Sequence, residues 1–250
     1  MHICFFSSEV FPFAKTGGLA DVSAALPKAL TDLGEHVTIF MPRYRCVELA
    51  DKEIVRLSEC AVRKKLTNLL DIIFIEHEGY FNRDGLYGNN SEDHPDNLER
   101  FNYFCIQCLE LIKSEHLKVD IVHCHDWQTA LIPVYLKTKY SNDSVFAQTK
   151  SILTIHNLAF QGLFSNEEFN CLESKVELEQ GSDFEYFDQI SLLKAGVLAS
   201  DLVSTVSPQY ALEILESELG FGFDPVFASR SDKVHGILNG LDQDIWNPSD

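Results

Sequence analysis

Residues 14–21 read AKTGGLAD, directly behind the apolar run HICFFSSEVFPF (residues 2–13) and at the head of DVSAALPKALTDLG (residues 21–34). Adjacent glycines cost backbone entropy, so they mark a sharp turn or a place where something must approach the backbone closely. Two readings stand side by side. In the plain one, residues 14–18 are a strand-to-helix turn with Lys15 in solvent. In the sharper one they are an anion cradle, with backbone N–H groups at a helix start facing a phosphate and Lys15 adding charge. Both put a strand before the glycines and a helix after them.

The same order recurs along the chain. ICFFSS reads as a buried strand, DVSAALPKALTDLG as an amphipathic helix closing on Gly34, and EHVTIFMPRY as a second strand ending near Pro42. This βαβ opening predicts a parallel sheet with a right-handed crossover. EIVRLSECAVRK and LLDIIFIEHEG (within residues 53–79) read as two strands of an antiparallel excursion, followed by the polar, Gly-rich loop YFNRDGLYGNNSEDHP. DNLERFNYFCIQCLELIKSE (residues 96–115) is the clearest helix, with Leu98, Phe101, Cys105, Cys108 and Ile112 on one face. Asp96 and Glu99 have capping-box spacing at its start. VDIVHCH and SILTIHN read as buried strands flanking DWQTALIPVYLKTKY, a helix that Pro133 kinks. Residues 165–185 are acidic and irregular, in the manner of a flap. ISLLKAGVLAS is helical, DLVSTVS a strand, and PQYALEILESEL a helix with Pro208 suited to its first turn. The expectation is a doubly wound, mostly parallel α/β domain.

Composition narrows the partners. The 250 residues are 45% hydrophobic and 23% charged, an ordinary globular balance with enough chain for a core. A formal net charge of −18 argues against nucleic acid and anionic membranes, whereas a neutral sugar chain needs no positive field. No run of about 18 apolar residues suggests a membrane span, and no basic n-region suggests a signal peptide. Seven cysteines without framework spacing fit free thiols and a cytoplasmic setting.

Ligands of open α/β sheets bind outside the carboxyl ends of the strands. The four stretches of interest are therefore Glu9 to Gly18, HDWQ (125–128), HNLAFQG (156–162) and SPQY (207–210), each polar or small behind an apolar run. HCHD and CIQC invite a metal reading that geometry rejects. Cys105 and Cys108 lie on the buried face of a helix, and His123 and His125 share one side of a strand while Cys124 points to the other. No motif requires a metal or a cofactor. Asp126 reads as the N-cap of its helix, and His156 as a core or capping residue. Both readings are compatible with side chains that also face a cleft. A dinucleotide-binding turn of the G-x-G-x-x-G type does not fit the spacing of KTGGLAD.

SSEVFPFAKTGGLADV resembles the opening signature of bacterial glycogen synthases and plant starch synthases of the ADP-glucose-using type. FNRDGLYG, DNLERF, DIVHCHDWQTALIPVYLKT, TIHNLAFQG, LLKAG, VSTVSP and GILNGLD…WNPSD resemble the family's motifs in the same order, from Ile3 to Asp250. The resemblance implies the GT-B architecture, two Rossmann-like domains across a cleft. Residues 1–240 would be the N-terminal, acceptor-side domain and residues 241–250 the start of a linker, with the nucleotide-binding domain outside this chain. It implies retaining transfer of glucose from ADP-glucose to the non-reducing end of an α-1,4-glucan, and it favours the phosphate-cradle reading of the glycines. By position, Lys15, Gly17 and Gly18 resemble the donor-diphosphate loop and Asp21 the acidic residue after it. His156 resembles the histidine on the donor glucose, next to Asn157. Glu9, Asp126 and Asn239 match polar positions implicated in activity. Gln128 stands where many relatives have histidine, and ELGFGFDPVF is less typical around Asp224 and Pro225. The rival from another class is a non-catalytic glucan-binding module, which would not need Lys15 and the glycine loop.

Overall fold

The computed structural model describes residues 1–89, 92–172 and 183–242. The strands of its main sheet are β1 (His2–Phe6), β2 (His36–Pro42), β3 (Ile54–Ser58), β4 (Ala61–Lys65), β5 (Leu70–Ile75), β6 (Ile121–His125), β7 (Lys150–Ile155), β8 (Leu202–Thr205) and β9 (Val234–Gly236). Among the described residues they form one nine-stranded sheet in the order β9-β8-β7-β6-β1-β2-β5-β4-β3. All neighbours from β9 through to β5 run parallel, and only β5-β4 and β4-β3 are antiparallel. The doubly wound, mostly parallel α/β expectation therefore holds.

Continuous apolar runs make this possible. Cys4, Phe5 and Phe6 of β1 are fully buried, as are Phe40 and Met41 of β2 and Val122 and Cys124 of β6. Strands covered on both faces need no polar alternation. Helix α1 (Gly18–Asp32) follows β1, after which come the short α2 (Glu78–Phe81) and the long α3 (Asn97–Ser114). Leu98, Phe101, Cys105, Cys108 and Ile112 are all buried on α3, as their spacing predicts. The remaining helices are α4 (Asp126–Thr129), α5 (Leu131–Lys137), α6 (Leu192–Ala199), α7 (Pro208–Glu213) and α8 (Asp224–Ala228). Ser207 caps α7 by accepting the Tyr210 N–H at 2.9 Å, with Pro208 in the first turn as expected. Among the described residues no helix is long and apolar enough to cross a membrane.

Several local expectations are corrected. The run EIVRLSECAVRK is a hairpin, β3 and β4, while β5 pairs in parallel with β2 and belongs to the main winding. The Gly-rich loop contains α2 and a two-stranded ribbon, Gly88–Asn89 with Glu92–Asp93. Asp96 occupies the N-cap position of α3, but its side chain makes no cap hydrogen bond; it is held by the Arg83 guanidinium, which donates to Oδ1 at 3.0 Å and to Oδ2. DWQTALIPVYLKTKY is two helices, α4 and α5, meeting at Ala130. The break precedes Pro133 and puts it in the first turn of α5, where its missing N–H has no intrahelical partner to lose. PQYALEILESEL stays helical only to Glu213 and continues as turns, with the Leu215 N–H donating to the Leu212 carbonyl and the Glu216 N–H to that of Glu213. Within the irregular segment 165–185 a single turn is seen at Glu168–Cys171, and a small antiparallel sheet of Leu163–Phe164, Gln189–Ser191 and Glu185–Tyr186 flanks it; residues 173–182, to which the flap reading also extends, lie outside the described residues.

The sheet order places the site. From β1 the chain winds outward through β2 and β5, and from β6 it winds the other way through β7, β8 and β9. Adjacent β1 and β6 thus form a switch point, the crevice where such sheets bind ligands. Gly162, past the end of β7, has φ +60°, and a Cβ there would lie 2.9 Å from Trp127 side-chain atoms. Gly17 is extended (φ −150°), and a Cβ at Gly17 or Gly18 would meet nothing within 4 Å. Gly162→Ala is therefore expected to destabilise the fold by on the order of 2–3 kcal/mol, and Gly17→Ala by under about 0.5 kcal/mol. Urea unfolding of the two variants checks this contrast.

Candidate active site

A cleft of about 480 Å³ opens over the β1–β6 switch point. The tip after β1 contributes Glu9, Thr16, Gly17 and Gly18; the tip after β6 contributes Asp126, Trp127 and Gln128. His156, Asn157 and Phe160 come from the tip after β7, and Val206 from the tip after β8. The four tips singled out in the sequence converge on this one edge. Asn239, beyond β9, completes the rim with Tyr87 and Asp93 from the ribbon loop.

Glu9 organises the first tip. It is 3% exposed, and its carboxylate accepts from Thr16 Oγ1 and from Tyr87 Oη, both at 2.6 Å. It also accepts the backbone N–H groups of Thr16, at 2.5 Å, and of Gly17, at 3.3 Å. Those two amides are therefore committed to an internal carboxylate. The N–H groups that α1 can still turn to the cleft are those of its first turn, beginning at Gly18, which lack intrahelical acceptors. Their partial positive charge favours an anion there. The glycines are required neither by backbone angle nor by internal packing, so what they leave open is bare backbone at the rim of the cleft.

Asp126 ties the second tip to the third. Its φ of +55° puts it in the left-handed region, which aspartate enters more readily than most residues. It does not cap α4; its Oδ1 reaches across and accepts the His156 N–H at 2.7 Å. Burial pushes its carboxyl up to about 7, against the downward pull of the His156 and Asn157 amides, with Glu9 adding to the rise. Burial also lowers His156 to about 4, so it is neutral at physiological pH. The His156 ring is joined to His125, Nε2 to Nδ1, at 2.9 Å.

A second layer supports these residues. His123 Nε2 meets Thr154 Oγ1 at 2.7 Å, and Thr154 meets Ser204 Oγ at 2.6 Å, linking β6, β7 and β8 beneath the cleft. Tyr210 Oη accepts the Leu158 N–H at 3.0 Å and fixes the loop after His156. Fully buried Arg100 donates to the carbonyls of Tyr80 (2.8 Å) and Leu86 (3.0 Å), holding the loop that carries Tyr87.

Of the residues named from the sequence, Glu9, Gly17, Gly18, Asp126, His156, Asn157 and Asn239 line the cleft. Asp21 lines a smaller cavity beside it, with Gly18 and Asn239. Lys15 is held by Asp21, its Nζ donating to both carboxylate oxygens at 2.7 Å. Thr16, Trp127 and Phe160 line the cleft too, from within the stretches picked out in the sequence but without a role assigned there, whereas Tyr87 and Asp93 lie outside those stretches. Tyr87 lies inside FNRDGLYG, but nothing local signals that its hydroxyl reaches a carboxylate 78 positions away. The Gln128 Oε1 is buried and has no hydrogen-bond partner among the described residues.

Comparison with known proteins places the chain in a family. Residues 2–229 match the family model described as the starch synthase catalytic domain. The chain is 43% identical over its whole length to a glycogen synthase of Geotalea uraniireducens, of which it covers 54%. It is 40% identical over 99% of its length to a glycogen synthase of Syntrophotalea carbinolica, again covering 54%. Its fold superposes, with a TM-score of 0.84 and 31% identity, on the catalytic domain of starch synthase IV from Arabidopsis thaliana, a structure bound to ADP and acarbose. All of this chain and 53% of that one are covered. The chain thus spans about half the length of the relatives it matches.

The raised Asp126 carboxyl has a consequence for stability. A carboxyl at about 7 when folded and near 3.8 when free keeps its proton better in the folded state. Its contribution therefore falls as pH rises from about 4 to about 7, by roughly 1.4 kcal/mol per unit at most, and is flat above. Asp126→Asn keeps an oxygen for the His156 N–H and removes the titration. Its stability relative to the parent is expected to climb between pH 4 and 7 and then level off, as measured by denaturant unfolding at a series of pH values.

Proposed function

The chain belongs to the starch synthase catalytic domain family, and on that premise we propose that it forms the N-terminal wall of a retaining glucosyltransferase. The reaction is transfer of glucose from ADP-glucose to the 4-hydroxyl at the non-reducing end of an α-1,4-glucan. The observation that carries the reading is the convergence of Gly17, Gly18, Asp126, His156, Asn157 and Asn239 on one cleft at the sheet's switch point. Residues 1–240 form the domain in this reading, residues 241–250 begin the linker, and a second, nucleotide-binding domain closes the cleft. The cytoplasm is its setting, in keeping with seven free thiols.

As the bond from the sugar to the diphosphate breaks, negative charge grows on the departing oxygens. Fixed donors aimed at that charge stabilise the transition state most. We assign this work to the first-turn N–H groups of α1 and to Lys15. The Lys15–Asp21 pair is partly exposed, and such pairs are worth under about 1 kcal/mol, so a diphosphate can draw the ammonium away. Open space at Gly17 and Gly18 lets the diphosphate approach. His156, neutral and lining the cleft, offers the donor glucose a hydrogen bond without a charge. Asp126 holds that histidine's backbone, and Glu9 holds the glycine loop. Asn157 and Asn239 supply uncharged polar groups suited to sugar hydroxyls. Net charge of −18 is compatible with a neutral glucan.

ADP-glucose-dependent elongation of a maltooligosaccharide by the intact protein tests the reading. Lys15→Ala is expected to lower turnover strongly while changing stability by under about 0.5 kcal/mol; unchanged kinetics at matched stability would refute the assignment. Residues 1–250 expressed alone should fold but bind ADP-glucose only in the millimolar range or weaker, on the order of −4 kcal/mol, because one wall neither encloses the nucleotide nor excludes water. Calorimetry gives that number, and micromolar binding would place the whole site within this chain.

A further inference from the structure

His125 is fully buried at the end of β6, against the rings of Phe5 and His123 at 4.1 and 4.3 Å. Its backbone N–H donates to Thr129 Oγ1 at 2.6 Å, and the same hydroxyl donates to its carbonyl at 2.8 Å, so the residue is fixed in place. Its Nδ1 lies 2.9 Å from His156 Nε2, and only one proton can occupy that contact. Burial keeps both rings neutral, and a neutral imidazole has a single N–H. If His156 donated, His125 would have to carry its own proton on Nε2. That atom is buried without a hydrogen-bond partner among the described residues. Folded proteins tolerate an unpaired buried acceptor more readily than an unpaired buried N–H. The proton therefore belongs on His125 Nδ1, donated to His156 Nε2.

We propose that His125 is a positioning residue that sets the tautomer of His156, leaving His156 with its proton on Nδ1 as a fixed donor to a hydroxyl of the bound sugar. His156 Nδ1 makes no hydrogen bond among the described residues and is not sealed from solvent, and its ring lines the cleft. The hydrogen bond to one imidazole nitrogen decides which form the other presents. Without it, His156 would divide between a form that donates to the sugar and one that cannot. The tautomer follows from the His125–His156 contact, the burial of both rings and the unpartnered His125 Nε2; its functional consequence rests on the glucosyl-transfer reading.

Long-range ¹H–¹⁵N spectra of the intact protein, labelled in histidine, read the tautomers directly. Both rings are expected in the Nδ1–H form. His125→Phe should convert His156 to a mixture and lower kcat for glucan elongation on the order of tenfold. His125→Asn, whose amide nitrogen takes the position of Nδ1, should restore both. An Nε2–H form of His156 in the parent protein overturns the proposal without recourse to any variant. So does a His125→Phe protein that retains the parent's kcat and tautomer. Nδ1–H signals in a protein without ADP-glucose turnover would support the tautomer and overturn only the transfer reading.

Discussion

The carboxylate of Asp126 bridging two strand ends is the constraint on which the cleft depends. A parallel sheet brings the ends of β6 and β7 to the same edge, but backbone pairing stops at His125 and Thr154. Beyond that point the sheet imposes no order on the chain. Asp126 extends it by one side-chain bond, taking the N–H of His156 at 2.7 Å. The arrangement costs a left-handed backbone and a buried carboxyl, each worth on the order of 1–3 kcal/mol. Strain of this kind persists where surrounding structure over-determines it, and here the His125 backbone, the Thr129 hydroxyl and the tight packing of Trp127 on Gly162 all enforce it.

Glu9 plays the matching part on the other side of the switch point. An anion at the head of α1 is favourable, and the protein supplies one of its own, eight residues before Gly17. By satisfying Thr16 and Gly17, Glu9 fixes the loop without any ligand, so the remaining first-turn amides need no rearrangement to meet one. Preorganised donors of this kind are more effective than donors that must be oriented during reaction. The cleft is thus built from two acids, the buried Glu9 and the half-buried Asp126, each ordering a segment that the sheet alone would leave loose.

Much of this was legible in the sequence, for physical reasons that differ by element. Buried parallel strands announce themselves as short apolar runs, and HICFF, IVHCH and ILTI did so. The polar residues behind them mark the sheet edge, which is why the sequence alone groups the four tips. The β3–β4 hairpin was not legible, because its turn at Ser58–Ala61 lacks Gly, Pro or Asn and the run reads as one strand. Asp96 and Asp126 both have the sequence position of a cap, yet Asp96 turns to Arg83 and Asp126 to His156. A cap competes with any stronger partner within reach, and such partners are set by tertiary structure. The same holds for Tyr87 on Glu9 and for Lys15 on Asp21. The sequence pointed to the strand ends that line the cleft but not to Tyr87 and Asp93, which join them there, and the contacts of Glu9, Asp126 and His125 emerge only from the fold.

The central claim is that the edge over β1 and β6 binds an activated sugar, with its diphosphate at the glycine loop and its glucose at His156. A crystal structure of the intact protein with ADP-glucose and a short α-1,4-oligosaccharide tests it most directly. The account requires the diphosphate over Gly17 and Gly18 and a glucose hydroxyl within hydrogen-bond distance of His156. Nucleotide found away from this edge, for example in the 270 Å³ cavity lined by Val134, Ala195 and Arg230, would contradict it.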